Sequence, residues 1–173
     1  MKKSEIKTVP SYYDGYVALA GEGELMNDLM SGGLQLFIDN ADKLEALGLK
    51  TYAKGKWTVH QIIEHLMDTE RLFQARALRF ARADKTNLPG YDEDLYADNA
   101  RSNEIPLRKL LSDYRLLRSS SIAMFSNFSD EELQRTGTAN GQEISVLAMG
   151  FVMIGHPIHH FNVLQERYFN LID

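Results

Sequence analysis

The chain has 173 residues, 44% hydrophobic and 25% charged, the proportions of an ordinary globular protein long enough to bury a core without staples. It has no cysteine, which excludes a disulfide framework, thiolate-bound zinc and a catalytic thiol, so any metal must be held by histidine and carboxylate. A net charge of -5 with no long basic run argues against nucleic-acid binding, and no apolar run reaches membrane-spanning length, the richest being 146–154.

The first residues, Met1-Lys2-Lys3, lead into polar sequence with no apolar h-region, so no signal peptide is expected and cytoplasmic residence is the default. The length predicts one domain over 1–173, with 1–20 an irregular, aromatic-rich lead-in (Tyr12, Tyr13, Tyr16) packed across a bundle end. A first long helix is predicted over 21–46 from the spacing of Leu25, Leu29, Leu36 and Leu44, weakened at Gly32-Gly33 and stopped by Gly48. The second opens on Thr58 with Gln61 three residues on, a capping box. Its apolar stripe is Val59, Ile62, Ile63, Leu66, Phe73, Ala77 and Phe80, with His65 at the edge and Glu70 inside it.

Residues 83–106 form the longest stretch without helical period, carrying Tyr91, Asp92, Glu93, Asp94, Tyr96 and Asp98. This is longer than a helix hairpin needs and can cross a bundle, so that the next helix restarts in the same direction. That third helix begins near Pro106 and presents Leu107, Leu110, Leu111, Tyr114, Leu117, Ser121 and Phe125 on one face, together with Arg118. With the second and third helices parallel, Glu70 and Arg118 stand at similar height, which predicts a buried ion pair. Ser129 caps a short turn, and Asn140-Gly141 lies within a small hairpin or plain loop over 136–144. Ser145 caps a fourth helix that is apolar on nearly every side, with a bend expected at Pro157 because the carbonyl of Met153 loses its partner there.

Three of the five histidines lie in Gly155-His156-Pro157-Ile158-His159-His160. His156 and His160, four apart, share one helical face and can offer two ligands to one divalent metal; His65 is the best candidate for a third. His159 lies ~100° from His160 and reads as a packing histidine or one behind the ligands, and His60 as a partly exposed side chain. Asp68, one turn after His65, reads as surface charge, the alternative being a partner that orients that ligand. The acidic loop reads as a solvated crossover, with a place at the mouth of the site as the sharper alternative.

The block 57–70, its continuation Ala75-Arg76-Ala77-Leu78-Arg79, the loop Pro89-Gly90-Tyr91-Asp92-Glu93-Asp94-Leu95-Tyr96, Arg118, and His156 to His160 closing on Glu166-Arg167-Tyr168 resemble the DinB-like (YfiT-like) superfamily of metal-dependent enzymes. This family is distinct from the DNA polymerase that shares the name. The resemblance extends over about residues 25–170, and its most specific element is the order: a tryptophan, a helical His-Leu, then a His-x-x-x-His near the C-terminus. It implies an all-α four-helix bundle, up-down-down-up, with a long crossover loop between helices 2 and 3, usually in a homodimer. It also implies a divalent metal, often nickel or zinc, on three histidines that map to His65, His156 and His160. Members include transferases that activate a low-molecular-weight thiol such as bacillithiol or mycothiol. The function expected on this basis is activation of water or such a thiol for hydrolysis or group transfer on a small-molecule substrate. The competing expectation is a non-catalytic dimeric helical protein of a stress response, with structural histidines.

Overall fold

The computed structural model describes residues 1–172. Three long helices dominate it: α5 (Val59–Ala81), α7 (Leu107–Phe125) and α9 (Val146–Arg167). Before them in chain order stand the short helices α1 (Ser11–Leu19), α2 (Leu25–Ser31), α3 (Leu34–Asp39) and α4 (Ala41–Leu47), and between them α6 (Glu93–Asn99) and α8 (Asp130–Gln134). No helix among the described residues is long and apolar enough to cross a membrane.

The long helices α5 and α9 begin where side chains satisfy their first free amides, whereas α7 follows Pro106 without a side-chain cap. Thr58 Oγ1 accepts from Gln61 N at 3.2 Å while Gln61 Oε1 accepts from Thr58 N at 2.9 Å, the reciprocal cap expected for α5. Ser145 Oγ accepts from Ala148 N at 3.2 Å at the start of α9, and Ser129 with Glu132 forms a capping box on α8. The α5 stripe is buried throughout, and α9 is buried continuously from Val146 to Pro157.

Four expectations change. The 21–46 helix is three pieces, α2 to α4. The break after Ser31 has a packing cause: a Cβ on Gly33 would lie 2.8 Å from both the Ile158 amide nitrogen and Pro157 Cγ, so the glycine lets this backbone abut α9. The 1–20 segment is not irregular, since Ser11–Leu19 is helical and lies along α9. It buries no residue completely, which is why it lacks an apolar stripe. The 83–106 connection carries a helix of its own, α6, capped by Asp92 Oδ1 accepting from Leu95 N at 3.0 Å. The fold is also not purely helical: β1 (Thr136–Ala139) and β2 (Gln142–Ser145) form an antiparallel hairpin. Its turn residues Asn140 and Gly141 have φ of 52° and 70°, the paired positive φ of a tight hairpin turn.

Side-chain contacts climb α5 and α7 in step. Thr58 Oγ1 donates to Asn103 Oδ1 (2.6 Å) just before α7, Glu70 pairs with Arg118, and Gln74 Nε2 donates to Ser121 Oγ (2.6 Å). The expected ion pair is bidentate and buried: Arg118 Nε and Nη2 reach the two Glu70 oxygens at 2.8 and 2.7 Å, and Ser121 Oγ donates to Oε1 at 2.6 Å. Arg118 Nη2 also donates to the Met153 carbonyl at 2.8 Å, the group that Pro157 leaves without an amide partner, and α9 runs unbroken through that proline.

The apolar core falls into two clusters. One gathers Leu25, Phe73, Phe80, Phe125 and Phe151; the other gathers Phe37, Leu44, Ile63, Tyr114 and Phe161. Along α5, α7 and α9 the change from one cluster to the other falls between 67 and 73, 114 and 125, and 154 and 161. Glu70, Arg118, Ser121, His156 and His160 occupy those intervals, so a polar layer crosses the molecule between two apolar halves.

Candidate metal centre

His156 and His160 project from one face of α9, a turn apart, as their spacing dictates. His65 comes from α5 to meet them. The Nε2 atom of His156 lies 3.1 Å from Nε2 of His65 and 3.0 Å from Nε2 of His160, and ligand-capable nitrogens of all three lie within 4.8 Å of one another. His156 is buried, while His65 and His160 are half-buried.

These rings are held by aromatic packing. Trp57, just before the α5 cap, sits 4.7 Å centroid to centroid from His65 and stacks at 6.3 Å on His160. Tyr16 of α1 meets His156 edge-on at 5.0 Å and His159 at 5.3 Å. That approach requires Gly155, because a Cβ there would come within 1.8 Å of the Tyr16 carbonyl oxygen.

Burial sets the protonation state. Desolvation lowers the pKa of His65 to about 4, against the opposing charge of Asp94. Burial, reinforced by the neighbouring imidazoles, holds His156 and His160 well below the usual histidine range. All three are therefore neutral near pH 7, the form that ligates metal. A neutral ring nitrogen carries either one N–H or one lone pair. The single Nε2 of His156 can thus be matched to one of its two close neighbours and not to both, whereas a cation shared by three lone pairs would satisfy every member. The donor set fits a divalent ion, and among the described residues no carboxylate joins it, so coordination positions would remain for water or substrate.

The imidazoles open into a cleft of about 180 Å³. Tyr12, 67% exposed, stands at its rim, so the cleft reaches solvent and the histidines are not sealed. Tyr13, Tyr16, Thr69, Arg76 and Asn140 also line it. The loop before α6 borders it through Gly90 and Tyr91, and α6 through its first residue, Glu93, with the Tyr91 hydroxyl 2.6 Å from Thr69 Oγ1.

The other singled-out residues take simpler roles. His159 lines the cleft but stays out of the nitrogen cluster. Asp68 accepts from Arg71 Nη1 at 2.9 Å as surface charge. His60 departs from expectation: it is only 9% exposed, and its Nδ1 has no hydrogen-bond partner among the described residues. Among the lining residues, Tyr16 and Arg76 were not legible as site residues. Tyr16 arrives with a helix that has no sequence stripe, and Arg76 reads as one more charge on a long helix.

The chain is similar to known proteins. The DinB superfamily profile matches residues 37–164. A protein of Oceanobacillus iheyensis named Putative metal-dependent hydrolase OB0413 is 25% identical over 114 residues, a match spanning 64% of this chain and 64% of that protein's length. The solved structure of YfiT from Bacillus subtilis, described as a probable metal-dependent hydrolase with an unusual four-helix bundle topology, superposes with a TM-score of 0.66 at 17% identity. That superposition covers 95% of this chain and 91% of YfiT. On the extent of the profile match, the chain belongs to the DinB superfamily.

Proposed function

We propose that His65, His156 and His160 hold one divalent metal, nickel or zinc, and that the protein is a metal-dependent enzyme acting on a small molecule by hydrolysis or thiol transfer. The carrying observation is three neutral ring nitrogens converging beside a cleft that reaches solvent. A bound ion of this kind supplies Lewis acidity and lowers the pKa of a water or thiol near neutral pH. The chain's own residues do the rest. Burial keeps the imidazoles deprotonated, Trp57 and Tyr16 fix their planes, and Thr69, Tyr91 and Arg76 offer polar contacts within the cleft.

The in-step contacts of α5 with α7 support an up-down-down-up four-helix arrangement, with 83–106 as the crossover. A cytoplasmic homodimer is part of the same reading. The open cleft favours an enzyme over a non-catalytic stress-response protein with structural histidines, for which a sealed triad is expected. The test is a panel of small esters and amides, with parallel thiol-transfer assays using bacillithiol, mycothiol and glutathione, on metal-stripped and metal-restored protein. Activity should return with metal and be absent from a folded His160→Ala variant. Equal activity in stripped protein would refute the metal-dependent reading.

A further inference from the structure

Arg76 is a cleft residue to which the metal reading assigns only a general polar contact. It is 6% exposed yet lines the cleft, and it forms no salt bridge with a carboxylate among the described residues. Its described partners are the Pro89 carbonyl, which accepts from Nη2 at 2.7 Å, the Tyr13 hydroxyl, and the Phe73 ring, whose centroid lies 5.8 Å from the guanidinium carbon; none of them carries a negative charge. Its positive charge also acts on the Tyr13 phenol, whose pKa burial raises and Arg76 draws back. A buried guanidinium without a counter-charge is costly, and proteins rarely keep one unless something pairs with it.

The surrounding charges sharpen this. With the imidazoles neutral, the formal charges lining the cleft among the described residues are Arg76 and Glu93, and Glu93 is exposed at the rim where solvent screens it. On α5, His65, Thr69 and Arg76 fall within ~40° of one another around the axis, with Arg76 ~16 Å beyond His65 at 1.5 Å per residue. A long helical side chain leans toward the N-terminus, which brings the guanidinium back along the cleft toward the histidines.

We propose, on the basis of the metal reading above, that the substrate carries an anionic group, carboxylate or phosphate, at the end remote from its reacting group, and that Arg76 binds it. The alternative role, a clip that holds the loop through Pro89, makes no distinction between charged and neutral ligands. That difference supplies the test.

Suberic monohydroxamic acid offers a metal-binding hydroxamate at one end and a carboxylate at the other; its terminal amide is the neutral control and a phosphonate-ended analogue the third arm. Binding to metal-supplied protein is measured by calorimetry. The acid should bind wild type about tenfold more tightly than the amide, as expected for a charge-assisted hydrogen bond, and Arg76→Gln should bind the two equally. The acid-to-phosphonate ratio separates carboxylate from phosphate. A wild type that does not prefer the acid, or a preference that survives in Arg76→Gln, overturns the proposal.

If Arg76→Gln does not fold, the Arg76 side-chain 15N resonance of wild type decides: it should move with the acid and not with the amide, and equal or absent shifts overturn the assignment. If no hydroxamate binds, the metal reading fails separately. Arg76 is then judged on metal-free protein with suberate against its diamide, where binding of suberate alone, lost in Arg76→Gln, supports it, and no binding of suberate overturns it.

Discussion

Arg118 connects two requirements that arise far apart in the chain. Its guanidinium neutralises Glu70 and also caps the Met153 carbonyl left free by Pro157, so one buried side chain keeps α9 continuous immediately before His156. Removing it leaves Glu70 as an unpaired buried charge. Arg118→Met should therefore cost about 3–5 kcal/mol, read from urea unfolding, whereas Ser119→Ala on the exposed side of α7 should change little. The pair was legible because helical period and a parallel crossover put both residues on facing stripes at one height. His60 was not legible, because its burial comes from chain packed over the start of α5 rather than from that helix's own period. Burial lowers its pKa below 6.5, with a Gly48 backbone contact opposing. The folded state thus resists protonation: this contribution is complete above pH 6.5 and is lost as pH falls below it. In metal-free protein, His60→Gln should show a shallower loss of stability than wild type does as pH falls below 6.5. An unchanged slope would show that His60 makes no such contribution.

At the scale of elements, small residues decide which segments touch. α1 is nine residues long, too short to be stable alone, and it is helical because α9 offers a place to lie at Gly155. Gly155→Ala forces a Cβ against the Tyr16 carbonyl, so it should destabilise the protein by roughly 1–3 kcal/mol. It should also displace α1, which backbone hydrogen–deuterium exchange over 11–19 would register as faster exchange. Gly32-Gly33 has the same logic between α2 and α3. The sequence marked it as a weak point in a helix, but the reason for a full break, close approach to Pro157 and Ile158, belongs to a partner 120-odd residues away and leaves no local sign. By contrast the starts of α5, α8 and α9 were legible, since each cap is a local pattern of hydroxyl and glutamine or glutamate, or a serine before an apolar run.

For the whole molecule, two apolar halves are joined across a polar layer, and the histidine cluster lies where that layer meets the cleft. A helix pair could present His156 and His160 in any fold; placing His65 against them requires α5 and α9 to be packed with the start of one near the end of the other. The Tyr168 hydroxyl donating to the Trp57 carbonyl at 2.6 Å is one bond that sets this register. Tyr168→Phe should therefore lower metal affinity several-fold while leaving the three imidazoles in place, about what loss of one neutral hydrogen bond outside the ligand set would bring. The most direct test is metal analysis of untagged wild type and His65→Ala, both supplied with nickel or zinc and freed of loose ions. The wild type is predicted to retain about one ion per chain, and the variant, folded by circular dichroism, to retain essentially none. A wild type that holds no more metal than the variant would contradict the account.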